Sequence, residues 1–126
     1  MQSFEVTEDN FKKFVALCKF WKNHFGLFDF HIHYYHEKFD DAADLARTLA
    51  NSEDRTAAVA INNRWLIPVT DEEIQRVALH EMMHVLLADL SEAAEQRIIS
   101  ERELKIVIEA AVLRLERILN LFSPVV

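Results

Sequence analysis

Residues 70–90 read TDEEIQRVALHEMMHVLLADL and predict one long helix. Thr70 with Glu73 three residues later is the capping-box pattern, so the helix is expected to begin at Thr70. Apolar residues then occupy most of the helical circumference, which is typical of a helix buried on nearly all sides. We expect this helix to run to about Leu90 and to form the centre of the fold.

The polar residues of this helix form the motif H-E-x-x-H, with His80, Glu81 and His84 in one sector. His80 and His84 lie one turn apart, so both imidazoles can reach a single ion. In this motif the glutamate acts as a general base. Because buried ionisable groups need partners, we expect a Zn²⁺ ion between the two histidines. Met82 and Met83 are expected to pack in the core, since zinc prefers nitrogen, oxygen and thiolate donors.

A third protein ligand is expected, because catalytic zinc sites have three plus water. Glu109 is the only polar side chain in residues 106–113, IVIEAAVL. Burying this carboxylate without a partner would cost several kcal/mol, and an antiparallel pair of helices would bring it near the histidines. Glu101 and Glu103 are the alternatives, and a solvent-facing Glu109 is the competing interpretation.

The rest of the chain predicts an α+β fold in a single domain, residues 1–126, with three main helices packed on a small antiparallel or mixed sheet. The expected elements are a helix over 7–25 that begins at Thr7 and stops at Gly26, a strand over 27–35, a hairpin of 45–50 and 55–62, an extended segment over 65–68, and a last helix over 100–122 capped by Ser100.

The composition limits which classes of binding partner and which cellular compartment we expect for this protein. The 126 residues carry 21 acidic and 14 basic side chains, a net charge of −7, which disfavours nucleic acid and anionic membranes. Cys18 is the lone cysteine and is expected to fill the core. The first residues, Met1–Glu5, resemble no secretory signal, and no apolar run reaches membrane-span length, so a cytoplasmic protein is expected.

A second group of histidines lies in the predicted strand, at His31, His33 and His36. Such residues are usually the polar face of a strand, and they are also placed to line a cleft beside the motif helix. The spacing of His31 and His33 is a permitted ligand spacing, so a second metal site is the alternative.

The chain resembles the zincin metallopeptidases, and among them the gluzincin type, in which HExxH is followed by a glutamate on a downstream helix. It is also similar to small HExxH proteins of phage and prophage origin in its aromatic strand, its short hairpin, the V-L-L-A-D-L after the motif, and a glutamate ahead of R-L-E in the last helix. The resemblance implies zinc on His80, His84 and Glu109, with Glu81 as general base and a protein or peptide as substrate.

The chain departs from large gluzincins in two respects. It has no obvious substrate-cleft subdomain, and no residue matches their oxyanion-stabilising histidine or tyrosine; Tyr34, Tyr35 and Arg114 are the candidates for that role. Two alternatives to a peptidase therefore stand: a structural or interaction protein whose metal site is structural or vestigial, and a zinc hydrolase of a non-peptide amide. The apolar flanks of the first and last helices leave a homodimer open.

Overall fold

The computed structural model describes residues 2–96 and 100–121, and this part of the chain forms four helices and five short strands. In chain order they are β1 (Phe4–Glu5), α1 (Glu8–His24), β2 (His31–Glu37), β3 (Ala46–Asn51), β4 (Thr56–Asn62), β5 (Arg64–Trp65), α2 (Asp71–Leu86), α3 (Ala88–Glu95) and α4 (Glu101–Leu121). The predicted α+β class is confirmed. Within the described residues no helix has both the length and the apolar character needed to cross a bilayer.

The main sheet has three strands in the order β2-β4-β3 and is mixed. β3 and β4 form the predicted antiparallel hairpin, while β2 runs parallel to β4. Across the sheet Tyr34, Val59 and Thr48 are in register, and these three residues point to the face that packs on the helices. β3 is an edge strand. β1 and β5 form a separate antiparallel pair. A strand of two residues is too short to show an alternation of apolar and polar residues, so the sequence does not predict this pair.

The ends of α1 follow the predicted capping signals. The Thr7 hydroxyl accepts from the Asn10 amide and the Asn10 side chain accepts from the Thr7 amide, which completes a reciprocal capping box. At the other end Gly26 adopts a φ of 70°, a left-handed conformation that favours glycine and stops the helix.

The motif helix is shorter than predicted. α2 ends at Leu86 and not at Leu90, and the chain turns at Leu87 before α3 begins. The turn allows Ala88 and Ala93 to be buried and brings Asp89 to the hairpin, contacts that a continuous helix would not make. The described part therefore has the three expected main helices and a short additional one, α3.

The aromatic strand begins later than predicted, at His31 and not at Leu27. The Leu27 amide donates to the Lys22 carbonyl, and the Phe30 amide donates to Leu27, so this segment continues the turn after α1. In a strand over 27–35, Phe28 would share the buried face with Phe30, but it is 66% exposed. The alternation of apolar and polar residues over 27–30 therefore occurs in a turn and not in a strand.

The core lies between the inner face of the sheet and the helices α1 and α2. α2 packs against both α1 and β3. Phe14 and Cys18 of α1, Val59 of β4 and Met82 of α2 are fully buried in one cluster. Cys18 is thus a core residue as predicted. Burial raises the pKa of its thiol far above the usual range, with a further contribution from the nearby Glu81 carboxylate.

Asp89 of α3 joins three parts of the fold. It accepts hydrogen bonds from the Ser52 hydroxyl and from Arg55, which lies 2.6 Å away, and pairs with Arg114 of α4 at 3.2 Å. Arg55 also pairs with Asp29 at 2.7 Å and stacks on an aromatic ring. Partial burial of Asp89 alone would raise its pKa, but the Ser52 hydrogen bond and the two guanidinium groups outweigh it and lower the pKa.

We expect Asp89→Asn to lower the free energy of unfolding by about 1–2 kcal/mol, because charge-assisted hydrogen bonds become neutral ones at a partly buried site. Chemical denaturation measures the change. The folded state lowers the pKa of Asp89, so its stabilising contribution is complete above a pH of about 4 and disappears as the pH falls through the lowered pKa. Wild type and variant should therefore converge in acid. Asp40→Asn, at an exposed position, is the control and should change stability little.

Candidate metal centre

His80 and His84 lie side by side on the solvent-facing side of α2. Their Nε2 atoms are 3.3 Å apart and their ring planes are inclined by 79°. Two nitrogens bound to one tetrahedral zinc at about 2.0–2.1 Å from the metal lie about 3.3–3.4 Å from each other. The observed separation is therefore that of two neighbouring ligands. A neutral imidazole can also donate to the other across this gap, which holds the pair together.

The environment of the two histidines differs from the sequence prediction. α2 is not buried on nearly all sides: both histidines are exposed, and Met83, predicted to pack in the core, is 41% exposed. Only Met82 of the two methionines is buried. The sequence pattern fails here because Met83 is apolar although no other element of the described chain covers it fully.

Glu81 points away from the histidines, into the interior, and is only 5% exposed. Successive residues on a helix are about 100° apart, so the motif divides into an outward histidine pair and an inward carboxylate. The Thr48 hydroxyl, on β3, donates to Glu81 Oε1 at 2.9 Å. This hydrogen bond satisfies one oxygen of a carboxylate that would otherwise be costly to bury.

Thr48 is the main residue that sequence reasoning missed. It lies on β3, whose side chains on the inner face of the sheet are Ala46, Thr48 and Ala50. Because these side chains are small, the alternation of buried and exposed residues is weak in the sequence of this strand. A polar residue at the inward position of an edge strand beside the motif helix is the signal that could have found it.

His80 and Glu81 both line a small cavity between α2 and the start of β3. Its volume is about 170 Å³, and its other lining residues are Leu45, Ala46, Arg76 and Val77. At about 30 Å³ for each water, this space can hold several water molecules or a small polar group. Arg76, which also pairs with Glu73 at 2.8 Å, adds a cation to the lining. Three residues with polar side chains, His80, Glu81 and Arg76, thus line the same cavity.

The residues considered for oxyanion stabilisation lie elsewhere. Tyr34 faces the core, where burial raises the pKa of its phenol, and Tyr35 is exposed on the outer face of the sheet. Arg114 is held by Asp89. Arg76 is the cation that borders the cavity, and sequence analysis did not identify it.

The strand beside the candidate site is β3, not the histidine-bearing β2. His31 and His33 are exposed on the outer face of the sheet. His36 points to the other face, where its Nε2 lies 2.8 Å from the Val6 carbonyl and its ring stacks on Phe11. The three histidines therefore do not converge, and a second metal site at His31 and His33 stays a prediction.

The structure does not bring Glu109 to the histidine pair. Within residues 2–96 and 100–121 there is no group of three His, Cys, Asp or Glu side chains arranged to hold a metal. Glu109 is exposed on α4, which packs on α3. The two alternative ligands also lie on α4: Glu101 pairs with Lys105, and Glu103 lines the groove beside α3. The identity of the third ligand stays a prediction.

Neither a family model, nor a curated protein, nor a solved structure matches this chain.

Thr48→Val should lower the free energy of unfolding by about 1–3 kcal/mol, because it leaves a buried oxygen of Glu81 without a donor while preserving side-chain volume. Thermal and urea denaturation would measure the loss. Thr48→Ser keeps the hydroxyl and is the matched control, with a smaller loss expected. Equal losses in the two variants would show that the hydrogen bond does not matter.

Proposed function

We propose that this protein is a zinc-dependent metallopeptidase whose metal is held by His80 and His84. The observation that carries the proposal is the 3.3 Å separation of the two Nε2 atoms, the edge of a tetrahedral zinc site, beside a carboxylate held in place by Thr48.

Zinc, when bound, supplies Lewis-acid activation of water and of a substrate carbonyl. Glu81 is the proposed general base: it lines the same cavity as His80, and its carboxylate would accept a proton from water there and pass it to the leaving amine. Thr48 orients that carboxylate, and Arg76 is placed to stabilise negative charge developing in the cavity. The third ligand stays a prediction: Glu109 is the first candidate, and within the described residues it does not join the histidine pair.

The free edge of β3 supports a peptide as the substrate. β3 is at the margin of the sheet and packs against α2, so an extended chain added to this edge would lie next to the cavity. Strand addition uses main-chain hydrogen bonds and tolerates many side chains. We place this activity in the cytoplasm, because the only cysteine is a buried thiol and suits a reducing compartment.

Removing either histidine should abolish stoichiometric zinc. We expect His80→Ala and His84→Ala to lower zinc affinity by at least about 100-fold, since each removes one of few ligands. Elemental analysis and titration with a zinc indicator measure this. Gln75→Ala, at an exposed position of the same helix, is the control and should bind zinc as the wild type does. A wild-type protein that binds no zinc would refute the proposed function.

Glu81→Gln should separate catalysis from metal binding. The amide keeps an oxygen to accept from Thr48 but cannot take a proton, so zinc binding should persist while peptide hydrolysis falls by about 10²–10⁴-fold. Hydrolysis of a quenched fluorescent peptide library by the zinc-loaded wild type supplies the assay. Equal hydrolysis by both proteins would contradict the role of Glu81, and absence of hydrolysis in the wild type would favour a non-catalytic metal site.

A further inference from the structure

β2 forms one margin of the main sheet and pairs with β4 on one side only. Its two end residues direct their backbone groups to that side: the His31 amide donates to the Arg55 carbonyl at 2.8 Å, and the Glu37 carbonyl accepts from the Asn63 amide at 2.9 Å. The direction of the backbone groups alternates along a strand. The residues whose backbone groups point away from β4 are therefore Ile32, Tyr34 and His36.

The backbone N–H and C=O groups of Ile32, Tyr34 and His36 form an open edge of the sheet. Within residues 2–96 and 100–121 no other strand pairs with this side of β2, and no hydrogen bond from a loop or turn reaches these groups. The three side chains lie on the inner face of the sheet and are only partly buried. Their neighbours on the central strand are fully buried: Ala57, Val59 and Ile61.

β2 lacks the features that usually keep an edge strand from pairing with another chain. Its seven residues match β4 in an unbroken register, without a bulge. Its sequence, HIHYYHE, contains no proline, lysine or arginine. Edge strands are commonly short, bulged, covered, or protected by lysine or proline. A long and regular open edge therefore indicates that a further strand pairs with β2.

The open edge is complementary to itself when two copies of β2 run antiparallel. The register that pairs all seven residues sets Tyr34 opposite Tyr34 of the second copy, and Ile32 opposite His36 of the second copy. All of these residues direct their backbone groups to the open edge, so each pair can exchange two main-chain hydrogen bonds. A shift of one residue would set them against residues whose backbone groups point to β4, and the hydrogen bonds would be lost.

The same register also matches the side chains on the outer face of the sheet. His31 lies opposite Glu37 of the second copy, and His33 lies opposite Tyr35 of the second copy; all four positions are exposed. An imidazole N–H donates to a carboxylate, and such cross-strand pairs stabilise a sheet. Arg47 already binds Glu37 Oε1 at 3.2 Å, and a carboxylate can accept further hydrogen bonds through its second oxygen.

We propose that two copies of this chain pair β2 with β2 and form one continuous six-stranded sheet. The strand order is β3-β4-β2 in one copy, followed by β2-β4-β3 in the other. Because the same edge serves both copies, the contact closes after two chains. Each β3 stays at a margin of the joined sheet and remains open to a peptide. The contact uses neither zinc nor the histidines of α2, so it is independent of the proposed function.

Exchanging two side chains across the two-fold axis tests this contact. His31→Glu sets a carboxylate opposite Glu37 of the second copy, and Glu37→His sets an imidazole opposite His31. Each variant alone should dimerise about 10-fold more weakly than the wild type, because both copies of the favourable pair are lost. Mixed one to one, the two variants should recover wild-type affinity, since every imidazole again faces a carboxylate. Sedimentation equilibrium measures the affinities, and circular dichroism checks folding.

Leu49→Glu is the matched control, because it adds a carboxylate to the same face of the sheet on β3, at a residue that is 78% exposed. It should dimerise as the wild type does. A wild type that stays monomeric at its highest soluble concentration would overturn the inference and leave the open edge to a strand of another protein. A mixture no stronger than its two components would overturn it as well. Dimerisation without any zinc binding would support it while refuting the proposed function.

Disulfide trapping tests the register. In the proposed pairing His33→Cys and Tyr35→Cys place thiols opposite each other only when the two variants meet, at a spacing that a disulfide can span. Oxidation of the mixture should give a covalent dimer, whereas neither variant should give one alone. The native Cys18 is fully buried and does not compete. A covalent dimer of either variant alone would mean a register shifted by two residues and would contradict the proposed pairing, as would a mixture that forms none.

Discussion

The buried carboxylate of Glu81 is the constraint on which the site depends. A carboxylate inside a protein needs a donor, and Thr48 of β3 provides it at 2.9 Å. This contact accompanies the packing of α2, whose apolar side chains, such as Ala78 and Met82, are buried on the same side. Once Glu81 points inward, the helical repeat points His80 and His84 outward, where both can bind one ion. The cavity between α2 and β3 is the space where the inward and outward parts of the motif meet.

A second polar contact organises the other end of the molecule. Asp89 connects the hairpin turn to α3 and, through Arg114, to α4. The break at Leu87 is what brings Asp89 to this position. As a result α4 is attached along one row of side chains and leaves Glu109 facing outward. The two contacts together explain why the histidines and the glutamate, expected in one site, lie on separate surfaces of the chain.

Much of the fold could be predicted because its signals are local. The caps at Thr7, Thr70 and Ser100, the stop at Gly26 and the β3–β4 hairpin are all found where the sequence indicates. The failures share a cause. The apolar side chains of Met83 and Phe28 indicate that both could be buried, but not whether another element covers them. The turn into α3 has no local signal in the residues after Leu86.

The sequence by itself determined that His80 and His84 share one side of a helix with Glu81 adjacent, because the helical repeat depends only on spacing. Tertiary structure alone decided that Thr48 binds Glu81 and that Arg76 borders the cavity. It also decided that, within the described residues, Glu109 is exposed on α4 and does not join the histidines. These are contacts between residues distant in sequence. They depend on how helices rotate and where they are attached, which is set by packing of the whole chain and not by any local pattern.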